Sequence, residues 1–259
     1  MPLQRSSITQ FLPSIGAIVA AVIVWQAAVA LLSIPAYLLP SPSDIFATLV
    51  SSNIDWATNT WVTFYESALG FLLSAAIGVP LSIAMVYSTW LNKTLSPLIL
   101  AMQIVPKVAI APILVILFGF GDLPRVLVAF LVAFFPVIID TTAGLNALDP
   151  DYIDLLRSLG SSEVQTFLIA RIPNALPSIL NGFKVSITLA LIGAIVAEFV
   201  QANNGLGYIL LTSLLQLGTR IAFASLLLLT VMGFGLYLIL LLVERFTIPW
   251  YVHSKQVRV

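Results

Sequence analysis

The stretch DLLRSLGSSEVQTFLIARIPNALP, residues 154–177, places four charged side chains in a chain that is otherwise poor in charge. Charged residues make up 8% and hydrophobic residues 60% of the 259 residues, and the mean hydropathy is +1.07. A soluble domain carries about 25% charged residues, so this composition cannot cover a water-facing surface. The sequence therefore predicts a membrane protein in which residues 154–177 form a polar helical insert.

The residue inventory excludes several kinds of chemistry. The chain has no cysteine and a single histidine, His253, so it offers no disulfide, no thiol nucleophile and no Cys/His metal cluster. Its formal net charge is zero, so the sequence has no excess of basic residues that would indicate nucleic-acid binding. None of the 14 glycines precedes a lysine, so the GxxxxGK[ST] phosphate loop is absent and any nucleotide is bound by another subunit.

Long apolar runs separate the few charges. A membrane-spanning helix needs about 20 mostly apolar residues, and these runs do not alternate as barrel strands would. The first run exceeds the roughly 7–15 apolar residues of a signal peptide, so we expect an uncleaved first helix. The predicted fold class is an all-α polytopic membrane protein of about six transmembrane helices, over residues 11–33, 61–88, 95–118, 123–142, 176–201 and 222–243.

The distribution of lysine and arginine predicts the orientation. Connecting segments rich in these residues stay in the cytoplasm, which places both termini and the 154–177 insert there. Residues 34–59 then form an outer loop, and Arg125 and Arg220 fall near outer helix ends. The basic residues on or near the inner side are Arg5, Lys93, Arg157, Arg171, Arg245, Lys255 and Arg258.

Some charges lie within the predicted spans. Fourteen uncharged residues separate Arg125 from Asp140, and thirteen separate Lys184 from Glu198. Each stretch covers roughly 20 Å of helix, less than the 30 Å or so of a hydrocarbon core. On an ideal helix Lys184 and Glu198 lie within about 40° of one face, which Thr188 shares. Two interpretations stay open: the charges reach opposite interfaces, or they form a polar stripe along a water-filled path.

The run at 95–118 has its own polar pair. Gln103 and Lys107 lie four residues apart on one helix face. Pro106 and Pro112 each remove a backbone donor, which predicts a kink or local unwinding there. Membranes tolerate such breaks where protein or water satisfies the freed groups. Gln103, Lys107 and Asp140 are therefore candidates for a solute path, with local architecture as the open alternative.

The insert contains the start and stop signals of two short helices. Asp149 and Pro150 predict the start of the first helix, and Gly160 predicts its end. Ser162, followed three residues later by a glutamine, fits a capping box for the second helix, which Pro173 ends or interrupts. Both predicted helices are near ten residues and too short to span a membrane. The apolar face of the first comprises Tyr152, Leu155, Leu156 and Leu159.

The insert resembles the EAA loop of ABC importer permeases. In that loop an acidic-Ala-Ala element is followed by three residues, a glycine, nine residues and an apolar-x-Leu-Pro element. Here residues 154–156 stand for the first element, Gly160 is the glycine, and residues 170–173 close the pattern. Aspartate replaces glutamate, two leucines replace the alanines and isoleucine replaces the leucine, while the spacing is kept.

Further segments resemble one branch of these permeases, the nitrate/sulfonate/taurine type, which also includes transporters of vitamin precursors. The resemblance covers about residues 43–250. The segments that carry it are PKVAIAPILVILFGFG at 106–121, AFFPVI at 133–138, NALPSILNGFKVSITLALIGAIVAEF at 174–199 and GLGY at 205–208.

The resemblance implies a type I ABC importer permease fold. Its parts are an N-terminal helix and outer loop at 1–60, a permease core at 61–250, a cytoplasmic coupling loop at 144–177 and a cytoplasmic tail at 251–259. In the family this loop inserts into a groove of a cytoplasmic ATPase. The residues that the resemblance assigns to ATPase coupling are Asp154, Leu155, Leu156, Gly160, Ser161 and Pro173.

The resemblance also implies the partners. They are a dimer of ABC ATPase subunits, an extracytoplasmic solute-binding protein, a second permease in a homodimer, and membrane lipid. The ATPase would bind ATP and magnesium, so this chain carries no cofactor of its own. The implied location is the cytoplasmic membrane of a bacterium or archaeon.

The leading hypothesis is inward transport of a small solute by alternating access. The candidate solutes are a vitamin precursor of the thiamine-pyrimidine or riboflavin type, nitrate, a sulfonate or taurine. Glu198 and residues 201–208 are placed for an outer gate or a binding-protein contact. An ion-coupled secondary transporter or channel is the alternative, and a membrane enzyme lacks a catalytic constellation. The candidates for the path or gate are Gln103, Lys107, Asp140, Lys184, Thr188 and Glu198.

Overall fold

The structure, a computed structural model, describes residues 8–201 and 203–250, and every regular element within them is helical. The predictions for Arg5, His253, Lys255, Arg258 and the tail at 251–259 concern residues outside this range. The helices are α1 (Ile8–Leu31), α2 (Pro42–Ser51), α3 (Trp56–Tyr87), α4 (Thr89–Ile104), α5 (Ala111–Phe118), α6 (Asp122–Asn146), α7 (Pro150–Ser158), α8 (Glu163–Thr166), α9 (Ile172–Gln201), α10 (Leu206–Leu215) and α11 (Thr219–Thr247), with a 3₁₀ turn at Lys107–Ile110 and a π-helical turn at Phe167–Arg171.

Several helices are long and apolar enough to cross a membrane. They are α3, α6, α11 and the continuous helix Glu163–Val200, and the bent pair of α4 and α5 is long and apolar enough for a fifth span when its two helices are taken together. Helix α1 carries a shorter apolar stretch, Ile15–Leu31. The predicted all-α membrane fold is confirmed, with four to five spans by length and composition where about six were expected. The cytoplasmic placement of the termini stays a prediction.

The run predicted as one helix over 95–118 is broken. A bend of 86° separates Thr89–Ile104 from Lys107–Phe118. Pro106 cannot donate a backbone hydrogen bond, and its ring excludes the helical conformation of the preceding residue. Val105 is accordingly extended, with ψ of 127°. The predicted kink or local unwinding at Pro106 is therefore confirmed, and it divides the run into two helices.

The second helix of the insert does not end at Pro173. The helical backbone runs from Glu163 to Gln201, so the insert and a membrane span share one helix. The turn before the proline is π-helical, and the Ile172 N–H donates to the Phe167 carbonyl. This wider turn makes room for a proline that removes one donor and crowds the carbonyl four residues earlier. The prediction that Pro173 ends this helix after about ten residues is therefore wrong, whereas the alternative that Pro173 interrupts it agrees with the π-helical turn.

Helices α6 and α9 pack closely because small residues line their contact. A Cβ atom on Gly193 would lie 2.8 Å from Ala129 Cα, and one on Gly144 would lie 2.7 Å from Ser178 Cβ. In lipid, where apolar burial gives little driving force, such close packing associates helices. The surrounding core comprises Phe71, Ala129, Ala133, Ile187, Ala190, Ala194, Leu236 and Leu240.

The described chain forms two compact units. The larger comprises residues 57–208 and 229–250, and the smaller comprises 8–56 and 209–228. In the smaller unit, the Ser43 N–H donates to Gln26 Oε1 at 3.1 Å, and a capping box of Ser41 and Asp44 starts α2. The segment predicted as an outer loop therefore contains a capped helix, a signal that the sequence analysis missed.

Candidate functional site

Helix α7 begins and ends where the sequence predicts. The Asp149 side chain accepts from the Asp151 N–H at 3.0 Å, and proline occupies the first helical position. Gly160 has φ of +83°, and the N–H of Ser161 donates to the Leu156 carbonyl at 3.0 Å. A glycine reaches this left-handed conformation without steric cost and closes the last turn. The predicted capping box of Ser162 on the next helix is confirmed as well.

The apolar face of α7 points away from the rest of the chain. Leu159 is 75% exposed, and Tyr152 and Leu155 are also exposed. The residue of α7 that packs inward is Ile153, which is 9% exposed. The periodicity left open which side this face turns to, and the structure leaves it uncovered by the chain itself. A capped helix with an uncovered apolar face has the character of a docking element.

Arg157 connects the two helices of the insert. Its Nη2 lies 2.7 Å from Glu163 Oε1, and its Nη1 lies 3.6 Å from Asp154 Oδ1. The hydrogen bond that Arg157 donates to the Glu163 carboxylate, reinforced by the negative charges of Glu163 and Asp154, raises the pKa of the Arg157 guanidinium above its ordinary value. These exposed pairs contribute little stability, and the pair with Glu163 links the two helices of the insert.

The six residues predicted for coupling lie in two places. Asp154, Leu155 and Gly160 are exposed at α7 and its end, whereas Leu156 is half-buried. Ser161 Oγ lies 3.1 Å from Thr166 Oγ1 in the turn. Pro173 lies within the continuous helix that enters the membrane span.

Glu198 is 1% exposed and is engaged at the start of α10. Its Oε1 accepts from the Thr63 hydroxyl at 2.6 Å, and its Oε2 accepts from the Gly207 N–H. The same hydroxyl of Thr63 accepts from the Leu206 N–H at 2.9 Å. The donors at the N-terminal turn of α10 are therefore satisfied by side chains from α3 and α9.

Arg125 lies beside this group and is buried. Its Nη1 lies 2.6 Å from Glu66 Oε1, and its Nη2 lies 2.6 Å from Asp122 Oδ1. It also donates to Asn204 Oδ1 at 3.2 Å. The sequence analysis did not select Glu66, although a lone glutamate within an apolar span is a signal for such a pair.

Lys184 has a partner that the sequence analysis also missed. Its Nζ lies 2.6 Å from Glu244 Oε2, so a carboxylate of α11 compensates its charge. Thr188 donates to the Val185 carbonyl of its own helix at 2.8 Å. Lys184 and Asp140 both line a cavity of about 270 Å³, together with Ala143, Pro177, Ser178, Asn181 and Glu244.

Gln103 and Lys107 meet at the break between α4 and α5. The Lys107 ammonium donates to the Gln103 backbone carbonyl at 2.8 Å and lies 4.7 Å from the centroid of the Phe135 ring. The predicted proximity is therefore present, through the backbone rather than the side chain of Gln103. Across the described residues there is no group of three or more metal-ligating side chains.

Membrane-crossing helices, a polar cavity among them and an exposed capped loop define the membrane-spanning subunit of a transporter. The chain belongs to the family of binding-protein-dependent transport system inner membrane components, whose model matches residues 70–249. It is thus a permease component of an ABC importer for small solutes, which disfavours the ion-coupled alternative.

Curated relatives match over most of the chain. It is 32% identical over 229 residues to the formylaminopyrimidine transport permease protein ThiX of Halalkalibacterium halodurans, covering 88% of this chain and 91% of that protein. It is 31% identical over 229 residues to the riboflavin transport system permease protein RibX of Chloroflexus aurantiacus, covering 87% and 85%. It is 29% identical over 245 residues to the taurine transport system permease protein TauC of Escherichia coli, covering 92% and 89%.

A solved structure shares the fold. The chain superposes on a chain of the inward-facing MetNI methionine ABC transporter with a TM-score of 0.65, covering 75% of this chain and 98% of that one. At 17% identity this similarity concerns the fold alone. It confirms the predicted type I importer permease fold.

Proposed function

We propose that this chain moves a small heteroaromatic vitamin precursor inward across a bacterial or archaeal cytoplasmic membrane by alternating access. One observation supports the proposal that the insert is coupled to the membrane-spanning helices. The exposed insert is joined to a membrane span by an uninterrupted helix, Glu163–Val200, so a displacement of the insert moves the span. That span packs closely against α6 through small residues. Because the contact is close-packed, a displacement of the span also displaces α6.

The proposed complex contains two copies of this chain, two ATPase subunits on the insert side and a solute-binding protein on the opposite side. The two ATPase subunits bind ATP and magnesium, and they close against each other when ATP is bound. Their groove receives the apolar face of α7, and Asp154, Gly160 and Ser161 lie at that contact. Leu155 and Leu159, which the chain leaves exposed, support this assignment. Burying an apolar face in a groove removes it from water and so lowers the free energy of the complex.

The substrate proposal rests on the relatives. Those with matches at 31–32% identity over 229 residues include permeases named for formylaminopyrimidine and for riboflavin, both heteroaromatic. Relatives named for sulfonates are also similar, at 31% identity for aliphatic sulfonates in Bacillus subtilis and 29% for taurine in Escherichia coli. A heteroaromatic solute is therefore our choice, and a sulfonate is the outcome that would replace it.

The candidate residues for the solute path fall into two groups, according to what their side chains contact. Lys184 and Glu198 are held by bonds within the chain, which supports a structural role for both. Asp140 lines the cavity with the Asn181 amide 3.3 Å away, and Lys107 lies at a broken helix. We assign the solute path to Gln103, Lys107 and Asp140, and a gate-positioning role to Glu198.

Co-purification tests the coupling assignment. The chain is produced together with an ABC ATPase and a solute-binding protein from the same organism. Changing both Leu155 and Leu159 to serine should remove the ATPase from the purified complex and abolish ATP-driven uptake of labelled formylaminopyrimidine, riboflavin or taurine. Val50→Ser, at a position in α2 that is 89% exposed, is the matched control and should retain both. Retention of the ATPase by the double variant would contradict the docking assignment.

A further inference from the structure

The break between α4 and α5 interrupts a membrane-crossing segment and carries a positive charge. A backbone that leaves the helix within a membrane is tolerated where it faces protein or water. Ile104 at the end of α4 is 84% exposed, and Gln103, Val105, Pro106 and Val108 are exposed beside it. Discontinuous helices of this kind place polar groups at the depth where transported solutes bind.

Lys107 has no carboxylate within 4.0 Å in the part of the chain that the structure describes. Arg125 and Lys184, which also lie in membrane-crossing helices, each face a carboxylate at 2.6 Å. An uncompensated charge in a membrane segment is costly and marks a path or a ligand contact. The charge of Lys107 is thus available to a group from outside the chain.

The contacts of Lys107 orient its ammonium and leave donors free. An ammonium carries three N–H donors, and one of them bonds to the Gln103 carbonyl at 2.8 Å. The Phe135 ring lies under the charge at 4.7 Å and is itself buried. These two contacts fix the position of Nζ at the open side of the break.

We propose that the break is a solute-contact site, at which Lys107 donates a hydrogen bond to an acceptor oxygen or aromatic nitrogen of the transported solute. The proposal rests on the transport function above and deepens it. It selects solutes that carry a carbonyl, a ring nitrogen or an anionic oxygen, and it disfavours cations. Asp140 lines the cavity described above, whose lining does not include Lys107, and it is not part of this contact.

A structural role for Lys107 makes a different prediction. In a continuous helix the backbone N–H of residue 107 would donate to the Gln103 carbonyl, and here the ammonium of the same residue does so. If capping α4 were its whole role, removing the ammonium would lower the unfolding temperature and leave solute affinity unchanged.

Thiol labelling tests the site without knowledge of the solute, because the chain contains no cysteine. The reconstituted importer with Gln103→Cys is treated with an anionic reagent, 2-sulfonatoethyl methanethiosulfonate, and a cationic one, the 2-trimethylammonioethyl analogue. Relative to Val50→Cys, the thiol at position 103 should favour the anionic reagent roughly tenfold. Adding Lys107→Gln should abolish that preference. An unreactive thiol at position 103, with and without ATP, or an unchanged preference would overturn the proposal.

Uptake kinetics provide the second test. Lys107→Gln should raise the KM for labelled formylaminopyrimidine, or for taurine if the solute is a sulfonate, about tenfold, as expected for one charge-assisted hydrogen bond. Lys107→Arg, which keeps the charge, should restore part of the affinity. Lys93→Gln, an exposed lysine of the same α4, is the control. A lower unfolding temperature with an unchanged KM would leave only the capping role.

Absence of ATP-driven uptake in the unchanged importer would count against the proposed function, while the labelling result would still decide the site.

Discussion

At the scale of single residues, Glu198 and the two glycines that follow it depend on one another. A Cβ atom on Gly207 would lie 2.6 Å from Glu198 Oε2 and 3.0 Å from the Ile195 carbonyl oxygen. The carboxylate can therefore accept from the Gly207 N–H only because position 207 lacks a side chain. The GLGY segment owes at least one of its glycines to this close approach.

We expect Gly207→Ala to displace the Glu198 carboxylate and to destabilise the permease by about 1–3 kcal/mol, the cost of an unsatisfied buried polar group. Thermal unfolding of the purified complex in detergent, followed by tryptophan fluorescence, measures the change. Gly235→Ala is the control, since a Cβ there meets no atom within 4 Å. An equal effect of both substitutions would show that the close approach at position 207 has no energetic weight.

At the scale of elements, the insert is stabilised by caps that act within a few residues. Ser162 accepts from the Gln165 N–H at 3.3 Å, and the Gln165 side chain accepts from the Ser162 N–H at 2.8 Å. Arg157 then links this helix to α7 through Glu163. The insert can thus keep its shape while its apolar face is uncovered.

We expect Ser162→Ala to cost about 1 kcal/mol of local stability, because an N-cap hydroxyl is lost. Amide hydrogen exchange over residues 163–171 should become roughly fivefold faster. Ser158→Ala, which removes only a hydroxyl bonded to the Leu155 carbonyl, should leave exchange in that segment unchanged. Unchanged exchange in the Ser162 variant would mean that packing of the continuous helix, rather than its cap, sets local stability.

At the scale of the whole molecule, the proposed transmission of force runs through one uninterrupted helix, Glu163–Val200. The π-helical turn Phe167–Arg171 is its least regular part, and Leu168 and Ile169 within that turn are exposed. Loosening this turn without disturbing the packed residues would separate movement of the insert from movement of the span.

We expect Leu168→Gly combined with Ile169→Gly to lower uptake per ATP hydrolysed while the ATPase remains bound, since two glycines cost about 2 kcal/mol of helix stability. The ratio of solute uptake to phosphate release in liposomes measures the coupling. Ala147→Gly with Leu148→Gly, in the non-helical linker before α7, is the control and should keep the ratio. A constant ratio in the first variant would refute transmission through this helix.

The sequence by itself determined the features that depend on neighbours in the chain. The start of α7 at Pro150, its end at Gly160 and the capping box at Ser162 all follow from bonds between residues two to five positions apart. The apolar runs likewise determined most of the spans, because a membrane imposes its length on each helix separately. The break at Pro106 was predicted as a kink, since proline acts on its own turn.

Only the tertiary structure decided which polar side chains meet. Glu198 and Thr63 are 135 residues apart, and Lys184 and Glu244 are 60 apart, so helix packing alone brings them together. Helical periodicity put Lys184 and Glu198 on similar faces but could not show that each has another partner. Pro173 is a similar case: local rules end a helix there, whereas packing on α6 carries the helix through a π-helical turn into the membrane. Local hydrogen bonds fix caps, while long-range pairs and tolerated prolines depend on what the rest of the fold packs against them.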